Sequence, residues 1–152
     1  MSDQQPVFSI EKIYLKDASL EAPNTPQIFL ESTQPQVEVA LQTHAKRIAE
    51  SLYEVVVTAT VTAKGGERTY FLVEAAEAGI FQLRNLPETD MEPILGIACA
   101  NIIFPYLREA VADLIARAGF PPIHLAPVNF EALHAERKKH EAATPSRTEV
   151  AH

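Results

Sequence analysis

Two hydrophobic periods organise this chain. From Pro105 onward, Leu107, Ala110, Val111, Leu114, Ile115 and Ala118 recur at three- and four-residue spacing, the repeat that gathers side chains on one face of a helix. Pro105 fits a first helical turn, where a missing N–H costs no bond, and Gly119 with Pro121-Pro122 ends the helix. Tyr106, Ala112 and Ala116 leave mainly Arg108, Glu109, Asp113 and Arg117 as polar positions on the other faces. A helix this apolar calls for burial on more than one side. We expect a sheet of the same chain on one side and a second copy of the chain on another, meeting Tyr106, Ala110, Ala112 and Asp113.

The second period is two. In SLYEVVVTATVTA, Tyr53, Val55, Val57, Ala59, Val61 and Ala63 fall on one face, and Leu52, Glu54, Val56, Thr58, Thr60 and Thr62 on the other, which is strand alternation. Lys64-Gly65-Gly66-Glu67 predicts a tight hairpin, because paired glycines accept the positive φ it needs. The return strand Arg68–Ala76 places Phe71, Val73 and Ala75 inward, with Tyr70, Leu72 and Glu74 outward. Gly79-Ile80-Phe81 then reads as the way into a loop, followed by a short helix near Glu88–Ala98. Val7–Ala18 reads as a first strand with a bulge, and Gln36–Gln42 as a second, with Val37, Val39 and Leu41 on its inner face. Between those two lies a long connection carrying Pro23, Pro26 and Pro35, which excludes a helix or a central strand. Asn129 is a good N-cap for a last helix. Residues 1–6 are expected to fray, and Arg137–His152 to form a flexible tail, around one domain spanning 1–152.

The implied architecture is α+β: a four-stranded antiparallel sheet with its helices packed on one face. The other face stays wet, flat and acidic, with Glu38, Glu54, Glu74 and threonines pointing outward.

Composition narrows the function. A net charge of −7 argues against nucleic-acid binding, which needs a basic face. No apolar run approaches the roughly 20 residues that span a bilayer, and MSDQQPVFSI lacks the basic start and apolar run of a signal peptide. A single cysteine, Cys99, cannot form an internal disulfide, so a cytoplasmic protein is the plain reading. Catalytic patterns are missing: no glycine-rich phosphate loop, no metal-binding spacing among His44, His124, His134, His140 and His152, and no base beside Cys99 in its apolar setting GIACANII. Glu109 and Asp113 read as solvent-face acids. Arg137-Lys138-Lys139-His140 reads as cations complementing a helix C-terminus. We expect no enzyme and no cofactor.

Five segments carry a resemblance: IYLKDASLEAPNTPQIF (13–29), YEVVVTATVTA (53–63), GIF (79–81), LGIACANIIFPYLRE (95–109) and LAPVNFEAL (125–133). Together, in this order, they resemble the SecB family of bacterial protein-export chaperones. The resemblance implies a homotetramer built as a dimer of dimers, with long helices between two sheets. It implies cytoplasmic holding of unfolded precursor proteins without ATP, and delivery to the SecA motor. On the residues that match, it assigns SecA docking to Asp17, Glu21, Leu72 and Glu74. It also suggests a client groove between sheet, proline-rich crossover and last helix, with Ile28, Phe29, Phe81, Phe120, Phe130 and Leu133 as candidates. Two positions depart from the pattern: Thr33 stands where many members have an aromatic residue, and Ala100 where they tend to have proline. The competing classes are a small-ligand protein with a pocket between helices and a purely structural oligomerisation module.

Overall fold

The computed structural model describes residues 5–143. Strands β1 (Val7–Glu21), β2 (Gln36–Ala49), β3 (Leu52–Gly65) and β4 (Arg68–Arg84) form one antiparallel sheet in the order β1-β4-β3-β2. The helical part is α1 (Glu88–Pro93), a π turn (Ile94–Ala98) and α2 (Cys99–Arg117), then α3 (Phe130–Ala143). Val55, Val57, Ala59, Val61 and Ala63 of β3 and Phe71, Val73 and Ala75 of β4 are buried in one core with Ile103, Phe104, Leu107, Val111 and Ile115 of α2. The α+β reading, with helices on one face, holds.

Several elements run further than the pattern indicates. β4 continues through Ala76, Ala78 and Gly79 to Arg84, so Phe81 lies in a strand rather than at the entry to a loop. Small residues give no alternation signal, but this segment is paired on both sides, and a central strand is held by its two ladders. β1 reaches Glu21 and has two register shifts, at Ile10/Lys12 and Leu15/Asp17. β2 extends to Ala49, yet its expected inner residues Val37 and Val39 are exposed. It is an edge strand, and α2 packs on β4, β3 and β1 instead.

The short and long helices are one run from Glu88 to Arg117, so Pro105 is inside α2 rather than in a first turn. Pro105 and Asn101, whose carbonyl loses its partner, are both exposed, so water can take the bond. By length and composition this run could cross a bilayer, contrary to the run-by-run reading. Here its apolar stripe is the core face of the sheet. Gly119, at φ +92°, follows the helix end as expected, and Asn129 Oδ1 accepts from Ala132 N at 3.0 Å to cap α3. Arg137 to Ala143, expected in the tail, belong to α3; residues 1–4 and 144–152 lie outside the described residues.

On the open face, one acid expected to be solvated is buried. Glu54 is only 5% exposed, because Tyr14 donates a hydrogen bond to it and Lys16 Nζ lies 2.9 Å from both its oxygens. Alternation assigned the face correctly, but long side chains from β1 close over β3. Burial pushes the Glu54 carboxyl up; the Tyr14 and Lys16 hydrogen bonds and the charges of Lys16 and Lys46 outweigh it and leave the carboxyl below its ordinary value. Burial, then the Glu54 bond and charge, raise the Tyr14 phenol to about 12. Glu54 therefore contributes stability above the unfolded carboxylate pKa that is lost as pH falls through the lower folded value. Tyr14 contributes stability below pH 10.0 that is lost as pH rises towards about 12. Tyr14→Phe should cost about 2 kcal/mol at pH 7 and flatten the alkaline limb of a urea-midpoint profile measured against pH.

Candidate functional site

The crossover between β1 and β2, residues 22–35, contains one 3-10 turn, Gln27–Leu30, where no helix was expected. Three residues per turn send successive side chains about 120° apart. Ile28 accordingly enters the core while Phe29 is 48% and Leu30 86% exposed. Asn24 Nδ2 donates to Thr69 O at 3.0 Å, and Tyr70 Oη donates to Thr33 O at 2.8 Å, tying both ends of the crossover to β4. This also explains why Tyr70, expected outward, is buried. The Phe29 ring lies 5.1 Å from Phe120, which meets Phe71 at 5.0 Å. A Cβ at Gly119 would fall 3.1 Å from the Phe29 ring, so glycine here makes room for it.

Of the six apolar candidates, the structure brings Phe29 and Phe120 together. Leu133, partly exposed on α3, lines a cavity of about 1210 Å³ with Leu41, Thr43 and His44 of β2. Ile28, Phe81, Phe120 and Phe130 are core residues, Phe120 at the edge of the core under Phe29; Phe81 packs on Phe8 and Phe130 on Phe104. Leu30, Val37 and Val39 are also exposed, as are Phe8, Ile10 and Leu15 of β1 and Ile48 of β2. Leu30 could have been found from its place in a proline-flanked segment, whereas the exposure of the valines depends on strand order. α3 is tied to α1 by Lys138–Glu92 at 3.3 Å and to β2 by Arg137 bonding Thr43. His134 sits where a Cβ on Gly96 would come within 2.8 Å of its Nδ1.

On the opposite side of the sheet, Glu21 pairs with Leu72, Ser19 with Glu74 and Asp17 with Ala76. Asp17, Glu21, Leu72 and Glu74 thus share the open face of two adjacent strands. Thr60 Oγ1 donates to Glu74 Oε2 at 3.1 Å, and Glu38 joins the neighbouring row of Leu72 and Glu21 through Thr62.

On α2, Tyr106 is 51% exposed, and Ala110 and Asp113 follow it at helical spacing. Ala112 lies about 120° around the helix from Tyr106 and is buried, lining a small cavity with Arg108, Asp113 and His124. Inside, Glu77 is 6% exposed beneath α2, paired with the core residue Val57. The Cys99 thiol is fully buried and pushed up to about 12 by that burial, so it is no nucleophile at neutral pH.

The family description "Preprotein translocase subunit SecB" matches residues 1–141. The chain belongs to the SecB family. Proteins named "Protein-export protein SecB" are 53% identical in Dechloromonas aromatica over 97% of both chains. In Nitrosospira multiformis the identity is 56% over the full length of both. The fold is also that of a SecB-like chaperone of Mycobacterium tuberculosis, solved in complex with a ChAD peptide from the HigA1 antitoxin. That likeness has a TM-score of 0.66 and 16% identity, covering 80% of this chain and 90% of that one. SecB membership makes this a chaperone of the Sec protein-export pathway, of a family that is not one of enzymes.

Glu77 yields a test independent of any partner. Burial first, and the charge of Glu109 second, raise its carboxyl, so its favourable contribution exists below the unfolded pKa near 4.5 and is lost as pH rises. Glu77→Gln should raise Tm at pH 7 by about 2–4 °C, a gain that disappears in melts near pH 4.

Proposed function

We propose that this chain holds unfolded precursor proteins in the cytoplasm, without ATP, on the apolar surface of the crossover and α3, and passes them to the SecA motor through Asp17, Glu21, Leu72 and Glu74. The observation that carries this reading is the separation of two chemistries. Phe29 and Leu30 are exposed beside the aromatic cluster on Phe120, while the acidic residues stand on the open face of the sheet. Burial of apolar surface is non-directional, which suits a client defined by being unfolded. A carboxylate rim acts through steering and charge complementarity, which suits one particular partner. The peptide seated on the Mycobacterium tuberculosis chaperone supports client binding by this fold.

Light scattering of a refolding protein, with no nucleotide present, tests the holding activity. Phe29→Ala with Leu30→Ala should weaken unfolded-client binding by about tenfold, as expected for an exposed apolar anchor, while docking to SecA persists. Glu74→Lys should do the reverse. A Glu74→Lys protein that binds SecA normally at low salt would remove the acidic face from the reading.

The active assembly is a homotetramer, a dimer of dimers, with the exposed stripe of α2 at a contact between copies. Tyr106 exposed on a 19-residue helix, about 28 Å long, supports this. Sedimentation at micromolar concentration should give four chains, and Ala110→Glu should shift the distribution to dimers. A stable monomer for the unaltered chain would refute the assembly.

A further inference from the structure

The open face has two ends of opposite charge, a property that neither the acidic residues nor the alternation reveals. Its register reads in rows across β1, β4, β3 and β2. At one end stand Glu21, Leu72, Thr62 and Glu38, then Ser19, Glu74, Thr60 and Ala40. At the other end the row is Lys12, Ile80, Glu54 and Lys46, with Lys16 brought onto Glu54 by its ion pair. Between them run two rows, Asp17, Ala76, Thr58 and Gln42, then Tyr14, Ala78, Val56 and His44, in which Ala78 and Val56 are buried under Tyr14 and Lys16 on their way to Glu54. From Leu72 to Ile80 is eight residues, roughly 27 Å along the strand.

At the lysine end, cations outnumber acids: Lys12, Lys16 and Lys46 stand against Glu54 and Glu11. Glu54 is occupied by Tyr14 and Lys16; the charge of Lys46 also acts on it, but neither Lys12 nor Lys46 forms a contact ion pair among the described residues. Both are exposed. Glu11, further along β1, accepts a bond from Ser9 at 2.7 Å. A face acidic throughout would take a basic segment in any orientation. A face with a cationic end repels a purely basic segment there and attracts an anionic one, so it fixes how the segment lies.

We propose that the open face docks a partner segment carrying a basic cluster and, roughly 27 Å away, an acidic cluster, with the basic cluster on the Glu74 end and the acidic cluster on Lys12 and Lys46. This deepens the docking role proposed for Glu74 and rests on it.

Two labelled synthetic peptides of about a dozen residues, long enough to cover the strip when extended, test it by fluorescence anisotropy at low salt. One has a lysine block and a glutamate block; the other has the same lysine block with glutamines in place of the glutamates. The two-block peptide should bind the unaltered protein about tenfold more tightly, the order expected for two rim charge pairs. Lys12→Gln with Lys46→Gln should abolish that advantage and leave the lysine–glutamine peptide unweakened. Lys12→Glu with Lys46→Glu should invert the preference. Equal affinities for the two peptides on the unaltered protein, or an advantage that survives both double variants, would overturn the proposal. Glu74→Lys should weaken both peptides; if the lysine–glutamine peptide is unaffected by it, the docking reading itself fails, whatever the lysines do.

Discussion

The two-sidedness of the β3–β4 pair is the constraint on which the other features depend. Each strand alternates, and the register Val57↔Glu77, Ala59↔Ala75, Val61↔Val73 stacks one apolar face under α2. The same register aligns Glu54, Thr58, Thr60, Glu74 and Leu72 on the other side. A one-residue slip of either strand would turn its faces over, exposing Val61 if β3 slips or burying Glu74 if β4 does. The separation between a surface able to hold apolar chain and a surface able to read charge is therefore a consequence of strand pairing.

Around this pair the molecule leaves apolar groups uncovered where elements run out. α2 covers the central strands and stops at Arg117, and β2 lies beyond its reach, so Val37 and Val39 stay exposed. The crossover closes over the end of α2, and its 3-10 turn can bury only Ile28 of its three apolar side chains. Phe29 and Leu30 are left outside by turn geometry. Scattered exposed apolar residues are ordinary, but contiguous ones rimmed by polar groups mark interaction sites.

Among the described residues two acids are buried, one on each side of the sheet. The environments of Glu54 and Glu77 push their carboxyls in opposite directions. Burial raises both; Glu54 has donors from Tyr14 and Lys16 that outweigh it, whereas Glu77 has no such donor among the described residues and has the like charge of Glu109 near it. The first closes the open face over Ala78 and Val56; the second weakens the layer between sheet and α2 at neutral pH. Such a difference follows from which side chains arrive, a matter of distances between strands that alternation does not encode.

The strands, the hairpin at Gly65-Gly66, the core stripe of α2 and the Asn129 cap were legible in the sequence, because each follows from a local rule: side-chain period, glycine φ, or a short side chain bonding a free N–H. The segment resemblance identified the SecB family as well, since motifs in order survive without coordinates. What the sequence left open was decided by neighbours. Gly79 to Arg84 became strand because two partners pair with it, and Pro105 was tolerated inside a helix because its side is wet. Ile28, Phe81 and Phe130 went to the core while Phe29 and Leu30 stayed out, since period gives direction and only packing gives depth. Asp17, Glu21, Leu72 and Glu74 converged through the register between β1 and β4, which two bulges in β1 set and no single strand could specify.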